Sequence, residues 1–138
     1  MAGKYNIYTL VEFHQDVFSE KFCCDGAPVW AIPKDIYSSF PRPISRNKMP
    51  YDNSTGFPKE CSKLSKGWAT YYFSLAVNRA FGSLWTNKYK LLDKFTEYWR
   101  RVAKAFKDNP YVIGLELMNE PWPGDLYNNP LVMVPGLS

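Results

Sequence analysis

The sequence has 138 residues, of which 46% are hydrophobic and 17% aromatic, and its formal net charge is +4. That length suits one domain and that composition a buried core, which excludes a disordered tail. The charge is mild for a nucleic-acid stripe, and no run approaches the roughly 18 apolar residues of a membrane helix.

Tyr5 to Phe13, YNIYTLVEF, is rich in β-branched and aromatic residues and reads as a buried strand. His14-Gln15-Asp16 follows at its C-terminal end. Residues 17–66 form a long excursion with little periodicity, punctuated by prolines at 28, 33, 41, 43, 50 and 58. One short helical turn is expected in it. A loop of this length inside a compact domain is usually functional or disordered, and Trp30, Tyr37, Phe40 and Phe57 argue that this one packs down.

The apolar spacing of Ala69, Phe73, Ala76, Val77, Ala80, Phe81 and Leu84 predicts a helix over Trp68–Leu84. A second helix is predicted over Tyr89–Phe106, with Thr86 or Asn87 as its N-cap and Asp108-Asn109-Pro110 as its stop. Its basic residues, Arg100, Arg101, Lys104 and Lys107, lie where they favour the helix dipole. Tyr111–Met118 reads as a second strand ending in Asn119-Glu120-Pro121, and the tail over residues 126–138 has no clear element.

The order strand, long loop, two helices, strand is one βαβ-type unit with an insertion, so the strands are expected to be parallel. Two strands cannot bury themselves as a sheet, and the others are expected from sequence beyond this chain, which looks cut at both ends.

Three cysteines are present, Cys23, Cys24 and Cys61, with one histidine, His14, a set with no zinc-knuckle spacing. A disulfide from Cys23 or Cys24 to Cys61 would close the Pro-rich loop. Asn53-Ser54-Thr55 in that loop is a glycosylation sequon. Together they point to an oxidising compartment, secreted or lumenal, although Met1 to Tyr5 contains no apolar signal region.

Both strands end in polar groups at the same end. Strict alternation puts Glu12, His14 and Asp16 on one face of the first strand, and Gly114, Glu116, Met118 and Glu120 on one face of the second. Asn119 would face away unless the strand breaks before Pro121, and the proline is expected to keep Glu120 extended. Glu12 and Glu116 lie deeper and are assigned support, with Glu12 or Glu116 holding His14 or an arginine outside the chain. A glycosidase needs one carboxylic acid and one carboxylate. On the residues alone, Glu120 with Asp16 is one such pairing.

The motifs Phe13-His14-Gln15-Asp16, Asp25-Gly26-Ala27-Pro28 before Trp30, and Glu116 through Asn119-Glu120-Pro121-Trp122-Pro123-Gly124-Asp125 together resemble glycoside hydrolase family 5. Within it they resemble the endoglycoceramidase branch, which cuts between glycan and ceramide. The resemblance implies an α/β fold, with this chain a piece of a (β/α)8 barrel comprising its third and fourth strands. It implies Glu120 as the acid/base, Asn119 at the sugar 2-hydroxyl and orienting the nucleophile, and His14 shaping the cleavage subsite. Asp16 would bind a glucose hydroxyl rather than act as nucleophile. Trp68 is expected either as an aromatic wall or as a helix-start core tryptophan, and Trp122 as a cleft-lining residue. The family's nucleophile, a glutamate on the seventh strand, has no match here. No cofactor or metal is implied. The expected partners are a glycan or glycolipid, with a membrane surface reached through the lipid, no nucleic acid, and a monomeric state when the barrel is complete. Val29 before Trp30, and Cys24, depart from the branch's pattern.

Overall fold

The computed structural model describes residues 2–136, so Met1 and the end of the tail, Leu137 and Ser138, lie outside the described residues. The two β-branched segments meet as parallel strands, β1 over Thr9–Glu12 and β2 over Val112–Glu116. Leu10 pairs with Gly114, Val11 with Leu115 and Glu12 with Glu116. Backbone bonds carry the ladder past the strand ends: Phe13 N–H donates to the Glu116 carbonyl at 3.2 Å, and Asn119 N–H to the Phe13 carbonyl at 3.1 Å.

β1 begins four residues later than the strand expected from Tyr5. Ala2–Tyr5 is a 3-10 turn, and Asn6 adopts a left-handed φ of 56°, a conformation asparagine tolerates. Tyr8 instead packs on Tyr111, ring centroids 5.9 Å apart.

The excursion contains α1, Lys34–Tyr37, and 3-10 turns at Glu20–Phe22, Val29–Ala31 and Cys61–Lys63. It folds around its own apolar residues. Val17, Phe22 and Phe40 are fully buried, and Phe40 meets Phe22 at 5.1 Å and Tyr71 at 5.6 Å. Trp30 and Phe57, expected to pack down, are exposed.

The first predicted helix is two elements. Trp68–Phe73 is a 3-10 helix and α2 runs from Leu75 to Trp85. Ser74 between them is extended, with φ −77° and ψ 147°, and its hydroxyl accepts the Val77 N–H, so a polar N-cap overrides the apolar spacing across the join. Ala76, Val77, Ala80, Phe81 and Leu84 are buried, while Ala69 and Phe73 are not on that stripe. Gly82 stays helical, and an added Cβ there would lie 3.1 Å from the Asp125 Cβ.

The second helix, α3, spans Leu91–Phe106 and starts two residues after Tyr89, because Asn87, Tyr89 and Lys90 are all left-handed. Asn87 still caps it at a distance: its Oδ1 accepts the Asp93 N–H at 3.2 Å while its Nδ2 donates to Asp93 Oδ1 at 3.0 Å. On the exposed face Glu97 takes Arg100 at 2.6 Å and Arg101 at 2.7 Å, and those hydrogen bonds draw its carboxyl down to about 2. Two of the four basic residues are therefore spent on a helix-surface network.

None of the β1 or β2 residues is fully buried. The sheet has two strands among the described residues, and Leu10, Ile113 and Leu117 are each more than half exposed. The buried core lies instead between the excursion, α1 and α2.

Candidate active site at the strand ends

The ladder bonds beyond Glu12 and Glu116 bring His14–Asp16 and Asn119–Glu120 to one edge of the sheet. On β1's side, alternation is obeyed. His14 Nδ1 lies 2.8 Å from Glu12 Oε1, and its Nε2 lies 3.4 Å from Asp16 Oδ2. The Glu12 hydrogen bond, followed by the charges of Glu12 and Asp16, raises the His14 pKa above its ordinary value. The support expected from Glu12 is therefore an observed contact, although Glu12 and Glu116 are exposed rather than buried.

Asp16 N–H donates to Asp25 Oδ1 at 2.9 Å, which ties the strand end to the first turn of the excursion. Ligand-type atoms of His14, Asp16 and Asp25 come within 4.8 Å of one another. Both imidazole nitrogens face carboxylates, as an imidazolium would, and Asp25 already accepts a backbone N–H.

The centre of the site is Gln15, a member of the Phe13–Asp16 motif to which the sequence alone assigns no role. Gln15 is 1% exposed. Its Nε2 donates to the Asn119 carbonyl at 2.8 Å and approaches the Glu120 carbonyl at 3.2 Å. Its Oε1 accepts the Phe18 N–H at 2.8 Å, and Tyr72 Oη lies 3.0 Å from Nε2. Asn119 returns the bond, its Nδ2 donating to the Gln15 carbonyl at 3.2 Å. One carboxamide thus joins both strand ends, the excursion and the 3-10 helix before α2. Alternation was the available signal: it turns Gln15 away from the His14 face and into the layer below, where an amide must find partners. Gly26 lies over this residue with φ +122°, and a Cβ there would come within 2.7 Å of the Gln15 Cβ.

Glu120 is not extended as its proline neighbour suggested. Its φ is 39°, so the chain breaks from the strand before Pro121. That break resolves the alternation problem at Asn119, whose amide turns back to Gln15 while Glu120 is exposed. A non-glycine residue held in this region costs on the order of 1–3 kcal/mol, which surrounding contacts must offset; the Gln15 bonds to both carbonyls are such contacts.

After Pro121, Trp122 stacks on Tyr72, with centroids 5.3 Å apart and planes at 29°. Its Nε1 donates to Asn78 Oδ1 at 3.1 Å. Asn78 is fully buried in the middle of α2 and also donates to the Tyr72 and Ser74 carbonyls at 2.7 and 2.8 Å. It fixes the Trp122 ring, the start of α2 and, through Leu126 N–H at 3.2 Å, the tail. A mid-helix asparagine within an apolar stripe is the sequence signal for such a hub. Trp68 is half exposed and meets Tyr72 edge-on at 6.3 Å. It is therefore not a core tryptophan, and Trp68, Tyr72 and Trp122 form one aromatic run.

Cys23 is disulfide-bonded to Cys61, with Cα atoms 5.4 Å apart and a sequence separation of 38. Cys24 is free and half-buried, and burial, with the charges of Asp16 and Asp25, pushes its thiol up to about 11.

A family model described as Cellulase (glycosyl hydrolase family 5) matches residues 1–129. The chain is 44% identical to an endoglycoceramidase of Cyanea nozakii over 99% of its own length and 27% of that protein's. It is 42% identical to an endoglycoceramidase of Hydra vulgaris over 99% of this chain and 26% of that one. The chain thus spans about a quarter of the length of these relatives. Among solved structures, endo-glycoceramidase II from Rhodococcus sp. in its ganglioside GM3 complex is similar with a TM-score of 0.65 and 26% identity, over 94% of this chain and 27% of that one. The lactosyl-enzyme intermediate of the same protein gives a TM-score of 0.64 and 27% identity over the same shares.

Proposed function

The chain belongs to glycosyl hydrolase family 5, and from that premise we propose that it is the acid/base part of a retaining O-glycosidase that cleaves glycosphingolipids at the sugar–ceramide bond. The fold, two parallel strands of an open sheet with helices between them, is that of part of a (β/α)8 barrel, where active sites form at the C-terminal strand ends. The carrying observation is the junction at Gln15, which holds Asn119-Glu120 beside His14 and Asp16 at one such edge. Relatives described as endoglycoceramidases, and a relative solved with ganglioside GM3, support the substrate class.

In the complete enzyme Glu120 protonates the glycosidic oxygen while a glutamate from another strand attacks the anomeric carbon. Glu120 then deprotonates the water that releases the sugar with retained configuration, a geometry that needs the two carboxyl groups about 5–5.5 Å apart. Asn119 holds the sugar 2-hydroxyl, and His14 and Asp16 hold hydroxyls around the cleaved bond. Half-exposed Trp68 offers a ring surface to a pyranose, and Trp122, packed on Tyr72, lines the cleft beside it. The chain alone supplies one member of the carboxylate pair and turns over poorly. The substrate is met at a membrane surface, the complete enzyme is a monomer, and it works in a secreted or lumenal compartment.

The test uses the longest protein product that carries this sequence. Hydrolysis of a glycosphingolipid should fall by orders of magnitude in Glu120→Ala, while an activated aryl glycoside should still react and yield, with azide, a glycosyl azide of retained configuration. Equal hydrolysis by wild type and Glu120→Ala would sink the reading. A second reading, a glycan-binding module without chemistry, draws on the same aromatic run. It expects glycolipid binding that is unchanged by Glu120→Gln and no hydrolysis in any product.

A further inference from the structure

We propose that Asn53 is a site of N-linked glycosylation, carrying an oligosaccharide on a clamped outer turn of the excursion. Asn53-Ser54-Thr55 is the only such triplet in the sequence. The triplet alone is weak; the turn around it shows that the folded chain accommodates a glycan at Asn53.

The turn is closed by a Tyr51–Pro58 bridge, by Asp52 N–H donating to the Phe57 carbonyl at 2.9 Å, and by Gly56 N–H donating to the Asp52 carbonyl at 2.9 Å. Turns of this kind commonly use an Asn or Asp side chain to cap their own backbone. Here Asp52 does that work. Its Oδ1 accepts the Ser54 N–H, the Ser54 hydroxyl and the Thr55 N–H, and these bonds hold its carboxyl well below the usual range. Asn53 is thereby released. It is exposed, and among the described residues its side-chain amide makes no hydrogen bond. The nucleophilic nitrogen is not needed to keep the fold.

The base of the turn is held from below. Lys21 is 4% exposed, donates to the Gly56 carbonyl at 2.7 Å and lies 4.1 Å from the Tyr37 ring centroid. Tyr51 donates its hydroxyl to the Lys21 carbonyl at 2.9 Å. Gly56, at φ +73°, leaves the space that Lys21 Nζ occupies. A few residues on, Cys61 is bonded to Cys23, the residue two after Lys21. A sugar on Asn53 therefore stands in solvent on a fixed base and displaces no core contact. The disulfide is an independent observation with the same implication, because a bond of that kind forms in the oxidising compartment where N-glycans are attached.

In the transfer, Asn53 Nδ2 attacks the anomeric carbon of a polyisoprenyl-pyrophosphate-linked oligosaccharide. The C1–O bond breaks, the pyrophosphate leaves with its electron pair, and the amide gives up one proton. No oxidation or reduction occurs.

The test is secretion of the full chain, behind a secretory leader, from cells that N-glycosylate. The expected result is a mass increase removed by peptide-N-glycosidase, lost in Asn53→Gln and in Thr55→Ala and kept in Thr55→Ser. Peptide mapping of the glycosylated species should find Cys23 joined to Cys61. A secreted chain with that disulfide formed but no mass increase overturns the proposal, because such a chain has passed through the right compartment. An increase that persists in Asn53→Gln also overturns it. Addition precedes folding, so a variant that folds badly still gives an answer.

Discussion

The Gln15 carboxamide donates to the Asn119 carbonyl at 2.8 Å while the Asn119 carboxamide donates to the Gln15 carbonyl at 3.2 Å. This reciprocal pair ties residues 104 apart in sequence and sets where Glu120 begins. Gln15→Leu removes the donor and strands two carbonyls and the Phe18 N–H, which should cost about 2–4 kcal/mol in denaturant unfolding. In the barrel-complete protein it should lower kcat roughly 100-fold with a smaller change in KM, the effect of aiming a catalytic group badly. Gln15→Glu can donate only when protonated, so its kcat should recover toward acid pH. A Gln15→Leu protein with unchanged kcat would remove Gln15 from the positioning role.

Asn78→Ala should destabilise the chain by roughly 2–4 kcal/mol, since four polar groups lose a buried partner at once. The indole of Trp122 should also loosen from the Tyr72 face. Intrinsic fluorescence and urea unfolding would read both effects, and a loss below about 0.5 kcal/mol would contradict the hub role.

Cys61→Ser opens a loop of 38 residues. The loop-entropy relation gives a loss of about 4 kcal/mol. Cys24→Ser leaves the loop closed and should cost less than about 1 kcal/mol. Urea titrations with and without reductant distinguish them: reductant should bring wild type down to Cys61→Ser and leave Cys61→Ser where it was.

His14 has a folded-state pKa raised by Glu12 and Asp16. A raised value means the folded state binds the proton more tightly, so its contribution to stability is full below the unfolded pKa, roughly 6.5. It is lost as pH rises through the folded pKa. A proton NMR titration of the imidazole should give a midpoint above the free value, and Glu12→Gln should lower it. A midpoint indifferent to Glu12→Gln would show that the 2.8 Å contact does not persist in solution.

The sheet surface left open by Leu10, Ile113 and Leu117 should drive self-association of the isolated chain. Ile113→Lys should shift its light-scattering mass toward the monomer. An isolated wild-type chain that stays monomeric at high concentration would count against this.

The strand ends were legible in the sequence because chemistry concentrates polar residues where an apolar run stops. His14-Gln15-Asp16 and Asn119-Glu120 are visible on that ground, and family resemblance supplied their expected roles. The start of β1 was not legible, since Asn6 enters a left-handed conformation that leaves no mark on a β-rich run. The join at Ser74 was hidden because a cap and a helix interior can share the same apolar spacing. Adjacent cysteines look alike in a sequence, and only the fold shows that it is Cys23 that reaches Cys61. The turn at Glu120 was not legible because the restriction proline places on its neighbour is only a tendency, and the Gln15 bonds hold the chain out of it.

The buried core contains no residue of either strand. Within this segment the buried contacts lie in the excursion and α2. The excursion with α2 is the cooperative unit, so its amides should be the last to exchange with deuterated solvent and those of Thr9–Glu12 among the first. The irregular excursion is thus what gives the strand-end edge something solid to rest on.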